Sequence, residues 1–371
     1  MIRLKTKNRI LVPSNAQKGF TLLELLVAMT IFLVVISLIY GILQIGRVDR
    51  NRSSRRSDIL KNARIAVHMI GRDALNAGLG YHRKGAVAPD NFVSSTFGIP
   101  ADANTDRDLI TSVIAGNDIN ANDLNGGAPT DVIGFCFRDM DFNDGDVINL
   151  SSVAPAAGNP SAALVTAAGI GNAGVGDLFL VESDTSQVAI MATGLNGNVI
   201  EAAPGDPLGL NQPLDGTGQN GSVLRQCNPP VGDPPVPDDN CTPYVSTTAN
   251  RFFMVGYKVR QDGTLVRTIF GNNRSATNAA EQIQEQPLAY NVQNLQISYV
   301  LADGTVTENP AAGLDGILGT ADDDIEQLNQ VRQLTISIRV QSTEVDEQTQ
   351  QLESIAFTAT FSARNMEYDA G

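Results

Sequence analysis

Tryptophan is absent from the 371 residues, and only 5% of them are aromatic. The chain therefore has little with which to build the ring platforms that stack against sugars. Histidine occurs twice, as His68 and His82, and neither lies in the later two thirds of the chain. No GxSxG, HExxH, P-loop or dinucleotide fingerprint is present, so nothing pairs a nucleophile with a base or gathers a catalytic metal, and no enzyme is expected. Proline is missing throughout Phe20 to Gly80, which leaves that whole stretch free to be helical. Charge is missing from Phe20 to Leu43, with Glu24 the single exception.

That apolar run is the most telling feature present. At about 1.5 Å per helical residue it crosses the hydrocarbon core of a bilayer, so residues 20–43 are expected to be a membrane-spanning helix. A carboxylate one turn inside such a helix costs about 3 kcal/mol to insert and needs a partner. A cut after Gly19 would leave Phe20 with a new α-amine. Glu24, the fifth residue of that product, could then pair with the amine of a neighbouring copy. A secretory signal would have a shorter apolar core and a small-residue cleavage site, and Tyr40-Gly41-Ile42-Leu43-Gln44 offers none.

The segment Lys18-Gly19-Phe20-Thr21-Leu22-Leu23-Glu24, preceded by Arg3, Lys5, Lys7 and Arg9 and followed by the apolar helix, resembles the class III signal of type IV pilins and type II secretion pseudopilins. The resemblance implies a cleaved leader, residues 1–19. A prepilin peptidase would cut between Gly19 and Phe20 and methylate the Phe20 amine, and Glu24 would guide docking into a helical fibre. It also implies an inner-membrane assembly platform and other major and minor pilins as partners, besides membrane lipid. The expected location is the inner membrane of a Gram-negative bacterium, single-pass with the head in the periplasm, and then the extracellular pilus.

Formal charge is −14, and its distribution is uneven. The leader holds five bases and no acid, so the processed product would carry −19. Arg47, Arg50, Arg52, Arg55, Arg56, Lys61 and Arg64 follow the span, against only Asp49 and Asp58. This cluster could face lipid phosphates, acidic faces of neighbouring subunits, or simply solvent. Everything beyond it is strongly acidic, which repels phosphate backbones and argues against a nucleic-acid partner.

From residue 44 to 80 the helix is expected to continue as a stalk, with Ile59, Ala63, Val67, Ile70 and Ala74 forming a narrow apolar stripe. Asn76-Ala77-Gly78-Leu79-Gly80 supplies the stop. Beyond it, residues 81–371 read as a β-rich head with long loop insertions at about 205–250 and 308–328. Phe253, Val255, Tyr257 and Val259 alternate with more polar neighbours and run into an Asp262-Gly263 hairpin turn, with Leu265 to Phe270 as the return strand. Leu295, Ile297, Tyr299 and Leu301 repeat the pattern before Asp303-Gly304. Leu334, Ile336, Ile338 and Val340 make a third face, and Ile355, Phe357, Ala359 and Phe361 a fourth. Asp131 to Arg138, Asp177 to Glu182 and Gln187 to Thr193 are earlier strand candidates. The fold class is α+β: a long N-terminal helix packed on an antiparallel sheet.

The runs Leu288 to Leu301 and Val331 to Thr343, with a closing strand ending Ala363-Arg364-Asn365-Met366, are similar to the PilW family of minor pilins. That resemblance implies a low-abundance subunit that primes pilus assembly and sits at or near the tip. A J-type minor pseudopilin of type II secretion and a pilus-tip adhesin are the alternatives. Residues 85–250 match no pattern.

Cys227 and Cys241 bracket a proline-rich segment without a core of its own, and a disulfide closing it would add about 3 kcal/mol in an oxidising compartment. Cys136 is expected to be a buried free thiol. Two acidic loops raise calcium as the one cofactor to consider. Asp139, Asp141, Asn143, Asp144 and Asp146 place oxygens at alternate positions, but break EF-hand register and lack a closing glutamate. Asp315, Asp322, Asp323 and Asp324 bracket and follow a glycine-rich turn. A solvated turn explains either loop, and if calcium is held, the second is the expected site.

Overall fold

The computed structural model describes residues 19–81, 85–101, 108–157, 159–183, 187–211, 247–346 and 349–366. It divides into two units, Met1–Arg55 and Arg56–Gly371. One helix, Leu22–Asn76, runs through the boundary.

In the first unit the helix opens with a reciprocal cap. Glu24 Oε2 accepts from Thr21 N at 2.9 Å, and Thr21 Oγ1 accepts from Glu24 N at 3.2 Å. Two otherwise orphaned first-turn donors are satisfied in this way. The large apolar side chains that follow, from Leu25 to Ile45, are all exposed. Two hydroxyls in the run, those of Thr30 and Ser37, bond back into the helix, Thr30 to Val27 O and Ser37 to Leu33 O, both at 2.8 Å. Bonding back in this way satisfies both hydroxyls, and besides Glu24, Tyr40 and Gln44 are the remaining polar side chains on a stretch long and apolar enough to cross a membrane.

In the second unit Ile59, Ala63, Val67, Ile70 and Ala74 are all buried, as their spacing predicts. The helix ends at Asn76, where Gly78 takes a φ of 81° and its N–H reaches Cys136 O at 3.0 Å. Thr248–Val259 is the central strand. Its first residues pair with Leu178–Glu182 and Ile148–Ala156; its remainder pairs with Pro129–Arg138 on one side and Leu265–Phe270 on the other. Among the described residues thirteen strands join this sheet, and all pairs but one short parallel contact are antiparallel. A second, four-stranded antiparallel sheet contains Val306–Thr307, Val292–Leu301, Val331–Val345 and Leu352–Ser362.

The stalk stripe, the inner face of the four-stranded sheet and one face of the larger sheet close a single core, with Tyr257, Tyr299 and Ile336 inside it. The sequence expectation of polar neighbours along the central strand is corrected here. Phe252 and Met254 face the other way and bury fully in a second core with Phe97, Cys136 and Phe270. The strand is covered on both faces, so its alternation separates two cores rather than core from solvent. Most of the expected insertion at about 205–250 lies outside the described residues. Residues 205–211 are organised by Asp206, whose carboxylate accepts from Leu208, Leu210 and Asn211 N–H groups, and Thr248 to Asn250 already belong to the central strand. The 308–328 segment contains no strand, but Ala311 and Ala312 are buried.

The candidate assembly site and the joints of the head

Gly19 and Phe20 are exposed, Phe20 to 88%. A methyl group added at Gly19 would meet nothing within 4 Å. Nothing inside the described chain therefore requires glycine there. Glu24 lies one turn further on, held only by Thr21 through the 2.9 Å backbone contact and a 3.0 Å contact from Thr21 Oγ1. The structure thus places the expected cleavage pair and the expected pairing carboxylate at one end of the exposed apolar helix.

The other expected sites are less gathered. Cys227 and Cys241, like His82, lie outside the described residues. Cys136 is a buried free thiol, and burial pushes it well above the usual thiol range. Asp139 turns inward to pair with Arg251, so the Asp139 to Asp146 loop has lost its first oxygen ligand to an ion pair. In the second loop Asp322 Oδ2 accepts from Leu314 N at 2.8 Å, Asp323 Oδ2 from Gly319 N at 2.7 Å and Asp315 Oδ1 from Ile317 N at 2.8 Å, while Asp324 Oδ2 accepts from Gln327 Nε2. Among the described residues no three acidic, histidine or cysteine side chains gather as a metal site needs. Calcium at Asp315, Asp322, Asp323 and Asp324 would be held by carboxylates that already accept these turn hydrogen bonds.

Three polar joints carry signals that the alternation pattern does not. Asp73, on the buried side of the stalk, accepts at Oδ2 from Tyr257 Oη at 2.6 Å and from Arg267 Nε at 2.8 Å. Burial and the Asp73 charge together raise the Tyr257 hydroxyl, so it stays protonated and donates. Asp177, fully buried, is bracketed by Arg274 at 2.6 Å and Arg251 at 3.5 Å, and Arg251 also lies 4.8 Å over the Phe142 ring. Asp131 ties the two sheets together: Oδ1 accepts from Asp118 N at 2.9 Å and Oδ2 from Ile297 N at 2.6 Å. Burial is the largest influence on Asp131 and, against those two bonds, pushes it up to about 7. The sequence sign of these joints is an acid or arginine set in an apolar period, as Asp73 is between Ile70 and Ala74.

A model of the prokaryotic N-terminal methylation motif matches residues 14–40. No curated protein and no solved structure matches the chain. The motif match spans Gly19, Phe20, the capped Glu24 and most of the exposed apolar run, and it supports a pilin-like protein, in the sense that covers both type IV pilins and secretion pseudopilins.

Proposed function

We propose that the chain is a minor pilin of a type IV pilus, primes fibre assembly, and sits at or near the tip. The observation that carries this reading is the exposed Gly19-Phe20 junction leading directly into a capped, wholly exposed apolar helix whose continuation is part of a folded head. The prepilin peptidase frees Phe20, Glu24 exchanges its Thr21 contacts for a neighbour's amine, and the apolar face packs on neighbouring helices. The structural role is favoured over a separable adhesin by one feature of the head. Strands drawn from residues 86–202 share a sheet with those from 248–289, so these two stretches of the described head are built as one sheet. Deleting residues 212–246 should therefore leave fibre formation intact if that segment serves attachment, and abolish it if the segment serves assembly. The primary test is to shear fibres from cells carrying the tagged full chain. The chain should appear in the fibre fraction at low abundance, and its loss should reduce fibre number. An unchanged fibre number without the chain contradicts a priming role.

A further inference from the structure

The 308–328 loop packs against residues 91–100 and 108–115 and encloses a cavity with them. The apolar lining comes from Val93, Ile99 and Ile114 on those stretches and from Leu318, Ile325 and Leu328 on the loop. Val93, Ile99, Leu318 and Ile325 are only half-buried, so the fold leaves apolar surface along the cavity instead of closing it. The loop itself is held in place. Asp324 N donates to Ala311 O at 2.8 Å, and a Cβ on Gly319, whose φ is 90°, would lie 3.0 Å from Pro100 Cβ. The cavity is therefore pre-formed, as small-ligand sites usually are.

Its polar groups are mostly acceptors. Asp108, 6% exposed, accepts from Asn91 N at 3.2 Å and Val93 N at 2.6 Å, and Asp323 Oδ2 accepts from Gly319 N at 2.7 Å. An ionised carboxylate keeps further lone pairs after such bonds. The lining hydroxyls direct their protons into the fold, Ser94 Oγ to Ile99 O at 2.8 Å and Thr111 Oγ1 to Val113 O at 2.6 Å. They too can offer a ligand only lone pairs. Among the described residues no lysine, arginine or histidine lines the cavity, and the exposed Asn91 brings the one side-chain N–H donor.

Apolar walls with two carboxylates match a ligand that carries cationic donors on a hydrocarbon stem. We propose that this cavity binds a primary ammonium group on an unbranched aliphatic stem, the stem along the apolar lining and the ammonium at Asp323 and Asp108. A neutral apolar ligand would cover both carboxylates without adding a partner for either. An anion would meet them as like charges, in a chain that beyond Arg64 holds 37 of its 40 acids but only 14 of its 26 bases. A free aliphatic diamine and a lysine side chain of another protein share the required chemistry. Binding of either is independent of fibre formation.

The test is equilibrium dialysis of the detergent-solubilised full chain, with chelator present, against matched five-carbon probes. Cadaverine, the diamine, should bind saturably, one per chain. Pentanediol and glutarate, of the same length, should bind at least about ten-fold more weakly, as loss of a charge-assisted hydrogen bond implies. Asp323→Asn keeps an acceptor for Gly319 N and should weaken cadaverine about ten-fold. Asp324→Asn removes the same charge from a residue outside the lining, and should leave the affinity within about two-fold. Nα-acetyl-lysine methylamide separates the sources: binding within about three-fold of cadaverine assigns the cavity to a protein lysine, and about ten-fold weaker binding to a free diamine. Absence of saturation below about 20 mM, equal binding of the diol or the diacid, or equal effects of the two asparagine variants would each overturn the proposal.

Discussion

Asp73 on the stalk helix and Arg267 on a head strand meet at 2.8 Å, both almost wholly buried. The Tyr257 hydroxyl donates to the same carboxylate oxygen, and a third contact takes it to Met69 O at 3.1 Å. One carboxylate thus fixes the register of the stalk against the sheet.

Removing one partner leaves a buried charge uncompensated. Asp73→Ala or Arg267→Ala should cost about 3–5 kcal/mol, whereas replacing both by apolar residues of similar volume should cost much less. Thermal unfolding of the detergent-solubilised chain measures this. Single losses below about 1 kcal/mol would show that the joint is solvated.

Gly71 has a different role. A Cβ built on it would lie 2.1 Å from Phe361 Cε1 and 2.2 Å from Cζ, so the helix can approach the last strand only because this side chain is missing. Gly71→Ala should destabilise by about 1–3 kcal/mol through overpacking. Adding Phe361→Leu should recover part of that loss, giving a coupling of at least about 0.5 kcal/mol in a double-mutant cycle. Strict additivity would show that the two residues do not press on one another.

Asp131 gives a pH dependence with a definite sign. Its folded-state value is raised to about 7, above the roughly 3.9 of an open chain, so the folded form binds the extra proton. Its contribution is fully present below about pH 4 and is lost as pH rises through 7, by up to about 1 kcal/mol per pH unit. Denaturant titrations between pH 4 and 8 should show a smaller slope against pH for Asp131→Asn. An identical slope would mean that Asp131 is ionised throughout.

The elements legible in the sequence were those with one wet face. The Leu295, Leu334 and Ile355 strands alternate because their outer rows, such as Ser298, Thr335 and Thr360, meet solvent. The central strand misled because Phe252 and Met254 serve a second core that local alternation cannot announce. Ile148–Ala156 and Asn159–Ala167 went unread because serine, alanine and proline fill them, and their pairing comes from neighbours distant in sequence. The exposed apolar helix with its lone carboxylate was legible, since a carboxylate is costly inside an apolar helix and stands out there. The Asp73 joint was not, because only the fold brings residues 73, 257 and 267 together.

Glu24→Ala separates insertion from assembly. On the proposed reading it removes the carboxylate that meets a neighbour's amine, while lowering the cost of insertion by about 3 kcal/mol. The variant should be processed and retained in membranes at wild-type level, yet recovered poorly in sheared fibres. Equal recovery would show that this carboxylate does not drive docking.

On the proposed reading the bond between Gly19 and Phe20 is the one that is cut, and the intact mass and N-terminal peptide of the chain isolated from its own membranes report on that directly. The mature protein should begin at Phe20 and carry one methyl group on its amine, and a bulky residue in place of Gly19 should leave the leader attached. A wild-type chain that retains residues 1–19, or is cut elsewhere, would contradict the pilin-like reading at its foundation.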